Sequence, residues 1–124
     1  MRPTTTYVSL LGAVLARHRR LAGRSQAELA ALIEMNQAGW SKIERGATGV
    51  SVEYLVVLAP ALGAEPGVIL GEADRTMRYA EAQGVKVFRK RGDMPAEAVQ
   101  GLLGMQALAA LVEAAWGGGV KSPQ

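Results

Sequence analysis

The sequence predicts an all-α fold in two parts: a compact five-helix unit over residues 1–71, then a mainly helical segment over 72–124 with one short β-prone run. Three observations predict it. Apolar residues recur at helical spacing through 11–22, 29–33, 40–43 and 55–62. Side chains suited to N-caps (Ser25, Asn36, Ser51) stand just before the later stripes. Glycines at 23 and 46 stand where helices would end.

The first helix is expected over residues 9–22, with Leu11, Val14, Leu15, His18 and either Leu21 or Ala22 on one stripe. His18 is the single histidine and reads as a satisfied, partly buried side chain rather than a metal ligand. Ser25-Gln26-Ala27-Glu28 has the form of a capping box: the serine hydroxyl accepts from the backbone N–H of Glu28, whose carboxylate returns to the serine N–H. Leu29, Leu32 and Ile33 make the apolar side of this second helix. Asn36 caps the third, with Met35 before it and Trp40 four residues after it, the spacing of a hydrophobic staple. The third helix should run to Arg45 and stop at Gly46.

Ser51 caps a fourth helix with a core side of Leu55, Val56, Leu58 and Leu62, in which Pro60 is expected to kink or end the helix near Ala59. Residues 65–70 read as one short helical turn, and 74–83 as a separate helix ended by Gly84. Residues 85–88 are β-prone. After Gly92-Asp93-Met94-Pro95 a long helix is expected over 96–116, followed by a frayed, glycine-rich tail.

Composition narrows the function. The chain has no cysteine, which excludes a disulfide framework and thiolate metal sites and agrees with a reducing, cytoplasmic setting. The apolar stretch 10–16 precedes the basic cluster 17–20, the reverse of a signal peptide. A membrane span over 96–120 is disfavoured by Gln100, Gln106 and Glu113. One histidine, scattered acids and no glycine-rich phosphate loop argue against an enzyme, and nothing implies a metal or cofactor. Residues 1–50 carry seven cations and three acids, net +4, whereas 51–124 carry seven cations and eight acids, net −1. That asymmetry suits a polyanionic partner for the first half, or simply a solvated basic face.

With Leu29, Ile33, Trp40 and Ile43 turned inward and Ala30 small at the helix crossing, Gln37, Ala38, Ser41, Lys42 and Arg45 share the opposite face. A face of amide, hydroxyl and cationic groups suits the donor and acceptor pattern of a DNA major groove. The stretch Ser25-Gln26-Ala27-Glu28-Leu29-Ala30 with Asn36-Gln37-Ala38-Gly39-Trp40-Ser41-Lys42-Ile43-Glu44-Arg45-Gly46 resembles the phage-repressor-type (Xre-like) helix-turn-helix family. The resemblance extends from about Leu11 to Leu70, half the chain.

It implies a five-helix repressor-like DNA-binding domain in which Gln26 holds a phosphate and supports its neighbour. Gln37, Ala38 and Lys42 match base-reading positions, and Asn36 and Ser41 match positions near the backbone or base edges. Arg19 and Glu44 match an ion pair tying the first helix to the third. Departures are Glu34, where the turn usually has glycine; His18 and Arg24, where leucine is usual; Gly39 inside the recognition helix; and the loop 47–50, which lacks the usual phosphate-gripping cations. Arg17, Arg20 and Arg24 are expected to take that role.

The C-terminal helix is apolar nearly all round. The first unit looks too small to cover it, so Leu102, Met105, Leu108, Leu111, Val112 and Trp116 are expected in a homodimer interface; the alternative folds this helix back on the first unit. The run Lys86-Val87-Phe88-Arg89-Lys90-Arg91 reads as an edge strand with solvated charges, open to pairing across the dimer, or as a DNA-contacting arm; the strand is preferred. The function expected is a homodimeric repressor of a palindromic operator on double-stranded DNA. The competing reading is an antitoxin whose C-terminal segment binds a partner protein.

Overall fold

The computed structural model describes residues 2–120. In chain order the elements are β1 (Thr4–Thr6), α1 (Tyr7–Leu21), α2 (Gln26–Leu32), α3 (Gln37–Glu44), α4 (Val52–Leu62), α5 (Pro66–Ala82), β2 (Lys86–Phe88), two short 3-10 segments (Arg91–Asp93 and Ala96–Gly101) and α6 (Met105–Val120). Helices α1–α5 supply the expected five-helix unit. Its core is built on Leu10, Val14, Leu15, Leu29, Trp40, Ile43, Leu55, Leu58 and Ile69, all essentially solvent-free.

Four expectations are corrected. First, α1 begins at Tyr7, because Thr6 caps it by accepting from the Ser9 N–H at 3.1 Å. The preceding threonines form β1, which pairs in parallel with β2: Thr4 with Lys86, Thr5 with Val87 and Thr6 with Phe88. The β-prone run therefore pairs within its own chain. Second, residues 66–82 are one helix that passes through Gly71, so the boundary expected at that residue falls inside α5. Ile69, Ala73, Thr76 and Ala80 form one buried stripe across it. Burying that stripe outweighs the roughly 1 kcal/mol that a glycine costs inside a helix.

Third, α4 continues past Pro60 to Leu62 and closes on Gly63 in the left-handed conformation. Val56 and Pro60 both lie on the exposed side, so the carbonyl that loses its proline partner is near water. Fourth, the helix expected over 96–116 is broken. A 3-10 segment ends at Gly101, Leu102 bridges to Thr4, and the Leu103 N–H donates to the Thr4 carbonyl at 2.9 Å before α6 starts at Met105. The edge of β1 has claimed the backbone groups that helix propagation would need. Beyond Trp116 the helix continues to Val120, and the remainder of the expected tail lies outside the described residues.

The C-terminal helix folds back on its own chain, across α1 and α5. Leu108 and Val112 are buried there, with Ala115 beside them, so these two are not free for a dimer interface. Each contributes about 1.5–3 kcal/mol of apolar burial. Leu111 and Trp116 are half-buried, while Leu102 and Met105 stay about half exposed. His18 is satisfied as expected: its Nε2 lies 2.6 Å from Glu72 Oε1, joining α1 to α5, and Trp116 meets its ring edge-on at 6.4 Å. Tyr7 makes a second α1–α5 tie by donating its hydroxyl to Asp74 at 2.6 Å. Burial, and then the Asp74 carboxylate, push that phenol well above the ordinary tyrosine range. Among the described residues no single helix is long and apolar enough to cross a membrane.

Gly12 sets the distance between α1 and the end of α3. A Cβ there would overlap the carbonyl oxygens of Ile43 and Glu44. Helix propensity alone favours alanine over glycine by about 1 kcal/mol, but here the obstacle is backbone and cannot rotate away. Gly12→Ala should therefore destabilise the protein by about 1–3 kcal/mol, read as a lower urea midpoint; an unchanged or higher midpoint would show that α1 and α3 can part at no cost.

Candidate nucleic-acid interface

The two central helices are held by local chemistry. In the capping box of α2 the Glu28 N–H donates to Ser25 Oγ at 3.0 Å, and the Ser25 N–H donates to Glu28 Oε1 at 2.7 Å. The turn that follows puts Glu34 in the left-handed region (φ 58°), at the position where the resembled family usually has glycine. The strain, of order 1 kcal/mol, is held by the Met35 N–H bonding back to the Ala30 carbonyl at 2.8 Å and by Met35 packing on the core. Asn36 Oδ1 accepts from the Gly39 N–H at 2.8 Å to start α3. Met35 and Trp40 flank this cap at the staple spacing, with Trp40 fully buried.

Inward, α3 presents Trp40, Ile43 and Glu44; outward it exposes Gln37, Ala38, Lys42 and Arg45, with Ser41 half-buried beside them. Glu44 is the hub. Its carboxylate accepts from Arg19 Nε at 2.5 Å and Arg19 Nη2 at 3.2 Å, from Trp40 Nε1 at 2.6 Å and from Gln26 Nε2 at 2.8 Å. The expected Arg19–Glu44 pair is present, with two further donors that the pairing alone did not disclose. Arg19 also donates to the Arg24 carbonyl at 3.0 Å, fixing the turn between α1 and α2.

This hub reaches the exposed face. A carboxylate only accepts, so Gln26 must turn its NH₂ toward Glu44 and its oxygen outward. That oxygen accepts from Gln37 Nε2 at 3.2 Å. Gln37 keeps its own carbonyl oxygen and one N–H free, the acceptor–donor pair that matches adenine N6 and N7. Gln26 thus links Glu44 to Gln37.

The remaining basic residues separate. Arg24 and Arg20 are exposed, Arg20 at the edge of a small groove beside Met105. Arg17 is engaged by α6 instead: its Nε donates to Glu113 Oε2 at 2.6 Å, and its guanidinium lies 4.6 Å over the Trp116 ring. The structure does not bring it to the α3 face. It does bring Arg91, from the run whose two readings are an edge strand and a DNA-contacting arm: its Nη2 donates to the Gly46 carbonyl at 2.6 Å, at the end of α3. No local signal in the sequence links those two positions.

Fold and site together define a helix-turn-helix DNA-binding protein. Residues 10–69 match the family described as helix-turn-helix domain. Among solved structures, the chain is similar to the clp gene regulator ClgR from C. glutamicum, with 35% identity and a TM-score of 0.53 over 57% of this chain and 92% of that one. No curated protein matches the sequence. The chain belongs to the phage-repressor-type (Xre-like) helix-turn-helix family of DNA-binding transcriptional regulators.

Two outcomes test the site's construction. Glu44→Ala leaves the Arg19 charge and the Trp40 N–H without their acceptor, and should cost about 3–5 kcal/mol of stability in denaturant unfolding; Glu44→Gln, which keeps one acceptor oxygen, should cost less. In the capping box, the hydrogen bond from the Ser25 N–H holds the Glu28 carboxyl below its usual range. A carboxyl depressed on folding stabilises above its unfolded pKa and loses that contribution as pH falls through the folded one. The wild type should therefore lose more thermal stability than Glu28→Gln as pH drops below about 4; parallel Tm profiles would show that the box adds nothing.

Proposed function

We propose that the protein is a sequence-specific transcriptional regulator acting in the cytoplasm, which lays α3 in the major groove of double-stranded DNA. Gln37, Ala38 and Lys42 read bases, Ser41 and Asn36 approach base edges or backbone, and Gln26, Arg24, Arg20 and Arg45 serve the phosphates. The observation that carries this reading is the Glu44–Gln26–Gln37 chain, because it orients an exposed amide from a buried anchor. An exposed glutamine with no further role gains nothing from such support; one that must meet adenine in two hydrogen bonds does.

The regulator is further proposed to act as a homodimeric repressor that occupies a palindromic operator, with the two α3 helices about 34 Å apart. The side chains of the expected interface that stay about half exposed are Leu102, in the link before α6, and Met105, at the start of α6. The same reduction weakens the antitoxin reading, since Leu108 and Val112 are occupied inside the chain.

Selection of bound duplexes from a random pool should enrich one sequence class, and failure to enrich any at moderate salt would overturn specific recognition. On the enriched sequence, Gln37→Ala should cost about 1–3 kcal/mol and relax preference at one base pair. Equal weakening on all sequences would remove Gln37 from the reading set.

A further inference from the structure

The loop after the recognition helix, Ala47-Thr48-Gly49-Val50, offers no cation to a phosphate. Two of its amides are already occupied, since the N–H groups of Ala47 and Thr48 both donate to the Lys42 carbonyl, at 2.8 and 3.3 Å. Beside this loop lies an open cleft of about 470 Å³ whose polar side is formed by Thr6, Ser9, Arg45 and Arg91, with Gly46 and Ala47 at the end of α3 and Met94 and Leu102 as its apolar wall. Arg91 reaches it from the segment after β2, because the parallel pairing of β2 with β1 delivers the chain to the start of α1.

We propose that this cleft is a phosphate-binding site, with Arg91 and Arg45 as its cations, and that the phosphate it takes belongs to the DNA backbone flanking the bases under α3. The proposal rests on the DNA-binding reading above and extends the contact surface to a part of the chain outside the matched domain. Arg91 uses one N–H on the Gly46 carbonyl; a guanidinium has five, so four remain for another acceptor. Neither Arg45 nor Arg91 is ion-paired among the described residues. The carbonyl end of α3 carries a partial negative charge equivalent to about half a unit, which two guanidiniums exceed. Thr6 Oγ1 donates to Ser9 Oγ at 2.9 Å, which leaves the Ser9 hydroxyl hydrogen free to donate as well. Arg45 stands on the exposed face of α3 with Lys42, so the cleft continues the reading face rather than opening elsewhere.

The test is the salt dependence of duplex binding by the full chain, followed by fluorescence anisotropy on the selected sequence and on an unrelated duplex. Removing one phosphate contact lowers the slope of log affinity against log salt by about 0.9. Arg91→Gln should show this reduction on both duplexes, losing about 3–4-fold less affinity than wild type between about 50 and 200 mM salt. Arg91→Lys, which keeps the charge, should restore the slope. If Arg91→Gln binds more weakly but with the wild-type slope, Arg91 only braces the end of α3 and the proposal fails while the reading of α3 stands. If the wild type binds no duplex, both fail. Inorganic phosphate at constant ionic strength distinguishes the source: a rise in the Tm of wild type but not Arg91→Gln, with an unchanged DNA slope, would assign the cleft to a small anion and overturn the DNA assignment.

Discussion

Burying the Glu44 carboxylate costs several kcal/mol in desolvation, and its place in the last turn of α3 adds repulsion from the carbonyl end of that helix. The residue is tolerated because four hydrogen bonds converge on it from three helices: Arg19 of α1, Gln26 of α2 and Trp40 of α3 itself. A buried ion pair of this kind adds little net stability compared with an apolar replacement. What it adds is geometry. Each donor must arrive along a fixed direction, so the carboxylate sets how α2 and α3 sit on α1. The exposed amide of Gln37 inherits that fixing through Gln26.

Helix α1 is the element on which both parts of the chain are mounted. Its Gly12 face admits the backbone of α3 at close range, and Ser9 meets Gly46, where a side chain would strike it. Its other faces take α5 and α6 through the His18–Glu72 contact and the stacking of Arg17 under Trp116. The C-terminal segment is therefore a wrapping of α1. The apolar surface of α6 that suggested a partner subunit is largely consumed in this way, and its Leu108 and Val112 join the same core as Leu10 and Val14.

What was legible in the sequence is what is decided locally. Three caps, the capping box and the staple each involve residues within four or five positions, and they stand where the residue types place them. The exposed face of α3 followed from the same periodicity, and the Arg19–Glu44 pair from resemblance. Illegible features depend on contacts made far away. Residues 96–116 have helical periodicity, but Thr4 captures the Leu103 N–H across 99 positions of chain and interrupts it. Gly71 looks like a stop, and is overridden by a stripe that α1 and α6 bury on both sides of it. The tight α1–α3 approach at Gly12 and the meeting of Arg91 with Gly46 are likewise invisible until the chain is folded.

Charge shows the same dependence on the fold. Counted along the chain, the positive excess belongs to residues 1–50. In the folded molecule Arg17 is matched by Glu113 and Arg19 by Glu44, so two of those seven cations are neutralised within the structure. Arg91, from the half with net negative charge, sits at the end of α3 and borders the same cleft as Arg45. Exposed charges more than about 10 Å apart are largely screened at ordinary salt, so the field a polyanion meets is set by such local groupings and not by the totals of sequence halves. The cations beside the end of α3 are thus drawn from both halves of the chain, and the place of Arg91 among them depends on the β1–β2 pairing that carries it there.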